Sequence, residues 1–481
     1  MSKLARETSW YAVGGMLPKF LSFLLIPVYT RYLSTSDYGI LSSMGVINSL
    51  FSIFFILALD RSISRFYHDF KTSQSQRDYY GTIFISITII STVGLFVSFL
   101  LRNYIGFIFI SIDFFPFIFI AILTSYFSIY SRLPMTNYRL QGEAKKYVII
   151  SISQFLLRLT LKIFLVVVLL EGAYGALMAG LITNILFSLF FIYITMNIIN
   201  FKFDKEIIKD SLKFTFPMLP VILSVFIIDF SDRIFLERYT SLSDLGIYSL
   251  GITIAGVVFL FANSFHKAFE PVFYEIANSS NTLKYRKESL ASYLNNYIFF
   301  IIFLCFSLAF FSKEIVFILA EKSFHESYHI TMISCLCYVF LFSSSVFNMM
   351  IYQVKKSQFV MYSSFLTVPL NIFLNFFLVP EFGIYGAVLT TLLSFLAAFI
   401  IKMVFARHTF FISLTWLSHF GLVFFLIITV LSSYYMFINQ PVVVSLAAKM
   451  GIYLLLLLTL FRSITYTFLE SLRFRSFTFV K

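Results

Sequence analysis

Arg31-Tyr32-Leu33-Ser34-Thr35-Ser36-Asp37-Tyr38-Gly39-Ile40 returns 207 residues later as Arg238-Tyr239-Thr240-Ser241-Leu242-Ser243-Asp244-Leu245-Gly246-Ile247, with seven of ten positions identical. Two further pairs keep nearly the same spacing. Lys145-Lys146 and Lys355-Lys356 lie 210 residues apart, and Gly172-x-Tyr174-Gly175-Ala176 and Gly383-x-Tyr385-Gly386-Ala387 lie 211 apart. Three colinear anchors at almost one offset mark an internal duplication. The ten-residue motif reads as a tight turn between two helices: its Ser or Asp caps the helix that follows, and Gly39 and Gly246 relieve crowding.

The material around the motif is apolar. Of 481 residues, 59% are hydrophobic, 20% aromatic and only 12% charged, too little polar surface to cover a water-soluble globule. Windows of about 20 residues, the length that crosses hydrocarbon, tile the chain into about fourteen spans. The fold class is therefore all-α and polytopic. Connectors are short, the longest running over about residues 267–292, far below the size that builds its own core. Soluble catalysis and nucleic-acid-binding modules are excluded.

The net charge of +13 is a topology signal. Of the 36 Lys and Arg, 26 fall in connectors on the side of the N-terminus, six on the opposite side and four inside spans. The positive-inside rule then puts both termini in the cytoplasm, which requires an even number of spans. Lys3 and Arg6 precede an apolar stretch of about 20 residues without a small-residue cleavage pattern, so it reads as a retained first helix. Cys305, Cys335 and Cys337 fall within or beside spans and support neither a disulfide framework nor a redox pair.

Each half of the duplication holds six spans, roughly residues 10–195 and 214–405. An even count inserts both halves in the same orientation, as parallel repeats about the membrane normal, an arrangement that encloses a central cavity and alternates access by rocking. Two last spans, roughly 413–436 and 442–460, stand outside the repeat. The expected organisation is an N-terminal six-helix lobe (1–200), a C-terminal six-helix lobe (201–408), and two additional helices with a cytoplasmic tail (409–481). Gly14, Gly15, Pro18 and Pro27 in the first helix of one half, and Pro217 and Pro220 in that of the other, predict kinks. Kinked spans belong beside neighbours or a cavity that satisfies the freed carbonyls.

The run Lys3-Leu4, Trp10, Gly14, Lys19, Pro27, Arg31-Tyr32-Leu33 and Tyr38-Gly39, with the layout of two sixes plus two, resembles the polysaccharide-biosynthesis or O-antigen-type flippases. These belong to the multidrug/oligosaccharidyl-lipid/polysaccharide exporter superfamily. The resemblance covers essentially the whole chain. It implies translocation of an undecaprenyl-pyrophosphate-linked oligosaccharide across the bacterial cytoplasmic (inner) membrane through a cationic cavity, for O-antigen, lipopolysaccharide, capsule or another surface glycan. The implied partners are that lipid-linked sugar, membrane lipids and other polysaccharide-assembly proteins, with no nucleic acid and no cofactor beyond a coupling proton or sodium ion.

Charges inside spans are costly, about 2.5–3.5 kcal/mol each on insertion scales, and are functional candidates by default. Ser151, Gln154, Arg158 and Lys162 recur at spacings of 3, 4 and 4 on one helical face. No acid in that span neutralises the two cations. An external pyrophosphate would, with Arg offering a planar fork and Lys a movable point charge; an acid on another helix is the alternative. Lys19, mid-way along the first span, adds to the same field. Arg61, Arg65 and Arg132 sit at cytoplasmic span ends, either as snorkelling anchors or as receivers of a headgroup. The repeat positions of Arg158 and Lys162 are Val368 and Ile372, so the cationic surface is lopsided toward the first half.

Asp229 is placed deep enough in the seventh span to bind a coupling proton or sodium ion, a salt bridge to Lys19, Arg158 or Lys162 being the alternative. Asp232 and Arg233 read as interfacial. Asn263, Asn348, Asn371 and Asn375 read as interhelical hydrogen-bonders, with binding of sugar hydroxyls as the alternative. His325-Glu326-Ser327-Tyr328-His329 matches H-E-x-x-H, the pattern of a zinc metalloprotease. It lies in an outward connector without an evident third ligand, so neither an enzyme nor a metal site is expected. A polysaccharide polymerase or ligase would need a large outward loop that the chain lacks. The remaining rival is a multidrug or small-cation exporter of the same superfamily, whose cavity should be acidic or aromatic.

Overall fold

The computed structural model describes residues 10, 14, 17–18, 20–67, 69–70, 72–437, 440–456 and 458, and among these every regular element is helical. Eleven segments are long and apolar enough to cross a membrane. In order, the helices are α1 (Ile26–Tyr32), α2 (Thr35–Ile56), α3 (Leu59–Phe66), α4 (Ser73–Leu100), α5 (Arg102–Ile108), α6 (Phe119–Ser128), α7 (Arg132–Leu140), α8 (Ala144–Ile163) and α9 (Gly172–Met196). There follow α10 (Lys205–Thr215), α11 (Leu219–Tyr239), α12 (Leu242–Ala277), α13 (Leu283–Phe310), α14 (Ser312–Leu319), α15 (Ser327–Gln353), α16 (Gln358–Arg407), α17 (Trp416–Phe437) and the shorter apolar α18 (Val442–Leu456). The all-α, polytopic fold expected from the sequence is present. α16 is two arms, each of membrane-spanning length, joined at Gly383.

The chain forms two compact units, Met1–Leu250 with Ser364–Thr391, and Gly251–Ser363 with Leu392–Lys481. In the first, both copies of the motif make the expected cap. Asp37 N–H donates to Ser34 Oγ (3.1 Å) and Ser34 N–H to Asp37 Oδ2 (2.9 Å), and Ser241 and Asp244 exchange the same bonds at 3.1 and 3.2 Å. These bonds satisfy N–H groups that a helix start otherwise leaves orphaned.

The two copies also face each other. A Cβ on Gly39 would overlap the carbonyl oxygen of Leu242, and one on Gly246 would overlap that of Thr35, the repeat equivalent of Leu242. Thr35 Oγ1 and Ser243 Oγ lie 2.6 Å apart, and Ser249 Oγ donates to Ser42 Oγ at 2.6 Å. Small residues that let backbones approach, with hydroxyls bonding across, are the packing that works where lipid removes the hydrophobic drive between helices. Asp37 reaches further, its Oδ1 accepting Ala173 N–H at 3.0 Å at the start of α9. Gly172, just before it, has φ +52°, and its repeat equivalent Gly383 has φ +53°. The third sequence anchor thus marks a turn that only glycine adopts without strain.

Predicted kinks occur at both sites. The first helix breaks at Leu25, just before Pro27, and a 3₁₀ turn at Phe216–Met218 separates α10 from α11 beside Pro217 and Pro220. A third break has no proline. Leu57 (φ 49°) and Ala58 (φ 57°) are both left-handed and divide α2 from α3, whereas the equivalent positions 264 and 265 lie inside the uninterrupted α12. The long connector expected over 267–292 is corrected: α12 runs through Pro271 to Ala277 and α13 starts at Leu283.

The core of the second unit packs residues of α12, α13, α15, the second arm of α16 and α17, with Phe273, Tyr297, Phe310 and Phe347 fully buried. Cys305, Cys335 and Cys337 are buried free thiols. α18 is fastened to α14 by a buried ion pair, Lys449 Nζ to Glu314 Oε1 at 3.0 Å. Ser445 donates to the same carboxylate, and Lys449 also donates to the Phe310 carbonyl at 3.0 Å. Lys449, one of the four cations that the sequence places inside spans, is partnered by both that carboxylate and that carbonyl.

Candidate functional site

Gln154 and Arg158 meet on one atom. Arg158 donates through Nη2 to Asn184 Oδ1 on α9 at 2.8 Å, and Gln154 Nε2 reaches the same oxygen at 3.4 Å. Asn184 is buried, 4% exposed, and its Nδ2 donates to the Thr124 carbonyl of α6 at 3.0 Å. One turn beyond Arg158, Lys162 Nζ sits 3.8 Å from the ring centroid of Tyr29 on α1, a cation–π contact.

Both holders are electrically neutral. Among the described residues no ion pair includes Arg158 or Lys162. Arg158 remains exposed and Lys162 half-buried on the protein surface. Two positive charges about 6 Å apart along the axis therefore stand without a carboxylate, in a helix whose face is mostly uncovered by protein. In a low-dielectric setting such a pair attracts a doubly negative group strongly.

Arg61, Arg132 and Asp229 converge elsewhere in the same unit. With Asn48 and Asp60 they supply the charged and amide groups of a cavity of about 430 Å³, walled also by apolar residues of α2 and α11. Two guanidinium groups face two carboxylates there, so the lining is formally balanced. The break at Leu57–Ala58 is what carries Asp60 and Arg61 to it, since both lie on the first turn of α3. Ser125 Oγ donates to Asn48 Oδ1 at 2.9 Å, and Ser125 is the neighbour of Thr124, the residue that orients Asn184. A polar thread through α6 thus runs from the cavity wall to Arg158, but neither Arg158 nor Lys162 lines the cavity.

Other sequence candidates sit apart. Arg65 pairs with Asp69 at 3.2 Å with both side chains about half exposed, a contact of little energetic weight. Lys19 lies outside the described residues. Asp232 is buried beneath Tyr248, whose hydroxyl donates to it, and pairs with Arg233 at 3.2 Å. Arg233 also donates to the Asp229 carbonyl at 2.6 Å. Asn371 and Asn375 bond across to α11, Ser231 Oγ donating to Asn371 Oδ1 (2.6 Å) and Asn375 Nδ2 to Ser231 Oγ (3.1 Å). Both amides are buried, which suits helix packing rather than a sugar.

His325-Glu326-Ser327-Tyr328-His329 does not form the continuous helix that zinc chemistry needs. His325 ends a 3₁₀ turn and α15 begins at Ser327. His325 stacks on Phe317 with centroids 3.7 Å apart, and burial pushes it below the usual imidazole pKa. His329 packs against Tyr328. Among the described residues no group of three His, Cys, Asp or Glu is placed to hold a metal ion.

Sequence reasoning missed Asn184, Tyr29, Asn48 and Asp60. Asn184 had a signal, being an amide in the middle of the apolar α9, where a polar side chain must find a partner. Tyr29 had none.

A family model described as polysaccharide biosynthesis protein matches residues 4–277, and a second, MatE, matches residues 217–377. Among curated proteins, Lsg locus putative protein 1 of Haemophilus influenzae is 29% identical over 283 residues, 57% of this chain and 66% of that protein. An uncharacterized membrane protein of the same organism is 25% identical over 278 residues, 56% of this chain and 65% of that protein. The chain thus spans just under two thirds of the length of these relatives. The fold is similar to that of the lipid II flippase MurJ in an inward closed conformation, with a TM-score of 0.73 at 13% identity over 94% of this chain and 99% of that one.

Proposed function

We infer, for a multi-pass membrane chain that belongs to the polysaccharide biosynthesis protein family, a flippase that carries undecaprenyl-pyrophosphate-linked oligosaccharide across the cytoplasmic membrane for surface-glycan synthesis. The single observation that carries the reading is the pair Arg158 and Lys162, held by an amide and a ring rather than by acids. Their charge is left for a ligand, and a diphosphate presents two adjacent anionic centres to two cations one turn apart. Arg61 and Arg132, at the cavity on what charge bias assigns as the cytoplasmic side, are the proposed entry contacts, with the lipid tail left in the bilayer.

In this reading the lobes 1–200 and 201–408 rock about the repeat axis, residues 409–481 add two helices and a tail, and both termini are cytoplasmic. Asp229, in the cavity, is the proposed coupling site for a proton or sodium ion. Other polysaccharide-assembly proteins are proposed partners. The second reading, a small-cation exporter, is favoured by one observation: Asp60 and Asp229 share the cavity with the two arginines.

The test is translocation of undecaprenyl-diphosphate oligosaccharide by the protein in proteoliposomes, comparing wild type with Arg158→Ala and Lys162→Ala. Loss of transport in both, with normal insertion, is the expected result. Full transport by both variants would make these charges structural, and efflux of organic cations without glycan transport by wild type would favour the exporter.

A further inference from the structure

We propose that Asn184 is the positioning residue of the Arg158–Lys162 site, and that its neutrality sets the site's preference for a diphosphate over a monophosphate. The inference rests on the flippase reading and deepens it.

An amide can present either an acceptor or two donors to a guanidinium, and only the acceptor is compatible with it. The choice is settled away from Arg158: Asn184 Nδ2 donates to the Thr124 carbonyl at 3.0 Å, so Oδ1 is the end turned toward α8. A flipped amide would set a carbonyl oxygen against a carbonyl oxygen at Thr124 and donors against donors at Arg158. Asn184 is buried between helices and has no room to wander. It therefore holds one corner of the guanidinium, with Gln154 bracing the same oxygen at 3.4 Å. The remaining donors of Arg158 meet no acceptor among the described residues.

The same geometry with Asp in place of Asn would make an ion pair at about the same distance. One carboxylate oxygen would stay on the guanidinium and cancel its charge, while the other would face the Thr124 carbonyl where Nδ2 now donates, and the site would fall from two net positive charges to one. A carboxylate buried beside a guanidinium is retained ionised by its partner, so the loss of anion affinity is electrostatic, and the lost Thr124 bond acts on stability instead. Lys162 cannot compensate, because it lies a turn away on Tyr29. A site with one net charge has little reason to prefer two phosphates over one, whereas a site with two does. The repeat counterparts of Arg158 and Lys162 are Val368 and Ile372, so no second copy of the site supplies the missing charge.

The experiment measures binding of undecaprenyl diphosphate and of undecaprenyl monophosphate to the full-length protein in nanodiscs, with the thermal midpoint of each variant recorded alongside. Arg158→Ala is the control for the underlying reading and should weaken diphosphate binding at least tenfold. Asn184→Asp should weaken it about tenfold and shrink the diphosphate-to-monophosphate ratio toward one, with some fall in thermal midpoint from the lost bond to the Thr124 carbonyl. Gln154→Glu sets a carboxylate one turn from Arg158 on the same face of α8, leaves the Thr124 bond in place, and should shrink the ratio likewise if Asn184→Asp fails to insert. A weak Arg158→Ala with Asn184→Asp and Gln154→Glu at wild-type affinity and ratio overturns the role of Asn184 and leaves the flippase reading standing. A fall in thermal midpoint together with affinity in both acidic variants, at constant ratio, makes Asn184 a packing residue and likewise overturns it. Wild-type binding by Arg158→Ala removes the underlying reading, and the inference with it.

Discussion

Ser42 and Ser249 stand at equivalent positions of the two repeats, and their hydroxyl oxygens are 2.6 Å apart. A local two-fold axis therefore passes between them, and the reciprocal approach of Gly39 to the Leu242 carbonyl and Gly246 to the Thr35 carbonyl repeats that symmetry on either side. Contacts of this kind are self-complementary, each surface serving as its own partner. If the halves rock during turnover, this is a contact that has to open. A Ser42→Cys/Ser249→Cys pair, in a chain whose three native cysteines are replaced, should lose translocation on oxidation and regain it on reduction. Undiminished transport by fully cross-linked protein would show that the axis stays closed throughout the cycle.

The glycines at that axis should be intolerant of the smallest side chain. Gly39→Ala forces a Cβ into a backbone oxygen, which cannot rotate away, and overpacking of this sort costs about 1–3 kcal/mol. Gly45→Ala, on the same helix with open space around it, should instead stabilise by up to about 1 kcal/mol through helix propensity. Opposite shifts in thermal midpoint in detergent are the expected outcome, and equal shifts would mean that the axis relaxes freely.

Leu57 and Ala58 hold left-handed conformations that cost non-glycine residues roughly 1–2 kcal/mol each. Ala58→Gly removes that strain while loosening the unfolded chain, so a net gain of somewhat under about 1 kcal/mol is expected. Ala58→Val should destabilise. Calorimetry of the reconstituted protein distinguishes these signs, and destabilisation by Ala58→Gly would indicate that α2 and α3 are continuous in the dominant state.

The Glu314–Lys449 pair is buried on both sides. Glu314→Gln alone leaves an uncompensated ammonium and should cost about 3–5 kcal/mol, whereas Glu314→Leu with Lys449→Met should lie near wild type. Double-mutant analysis by denaturant unfolding reads the difference. Additive losses would show that Ser445 and the Phe310 carbonyl, not the ion pair, hold α18.

Local signals in the chain proved dependable. The motif turns, their Ser–Asp caps and the breaks near Pro27, Pro217 and Pro220 are written in residues a few positions apart, and the structure has each of them. Long-range features were not legible. Leu57–Ala58 lacks glycine and proline, so nothing in Leu57-Ala58-Leu59-Asp60 announces a break. The run of α12 to Ala277 and the start of α13 at Leu283 were hidden by their polar ends, which read as loop when hydropathy is the guide. Arg158 and Lys162 were found as charges out of place, yet their holders come from other helices and one of them is aromatic. Of the cavity's carboxylates the sequence singled out Asp229 alone, and only the fold brings Asp60 and Asp229 to the two arginines.

The duplicated chain keeps its matched turns but not its matched charges, since Arg158 and Lys162 correspond to Val368 and Ile372 in the second repeat. On the proposed flippase reading, one half grips and the other is released from gripping. Changes around α8 and α9 would then alter what is picked up, and changes in the second repeat how fast the cycle runs. The tempo of the cycle would survive each change of cargo.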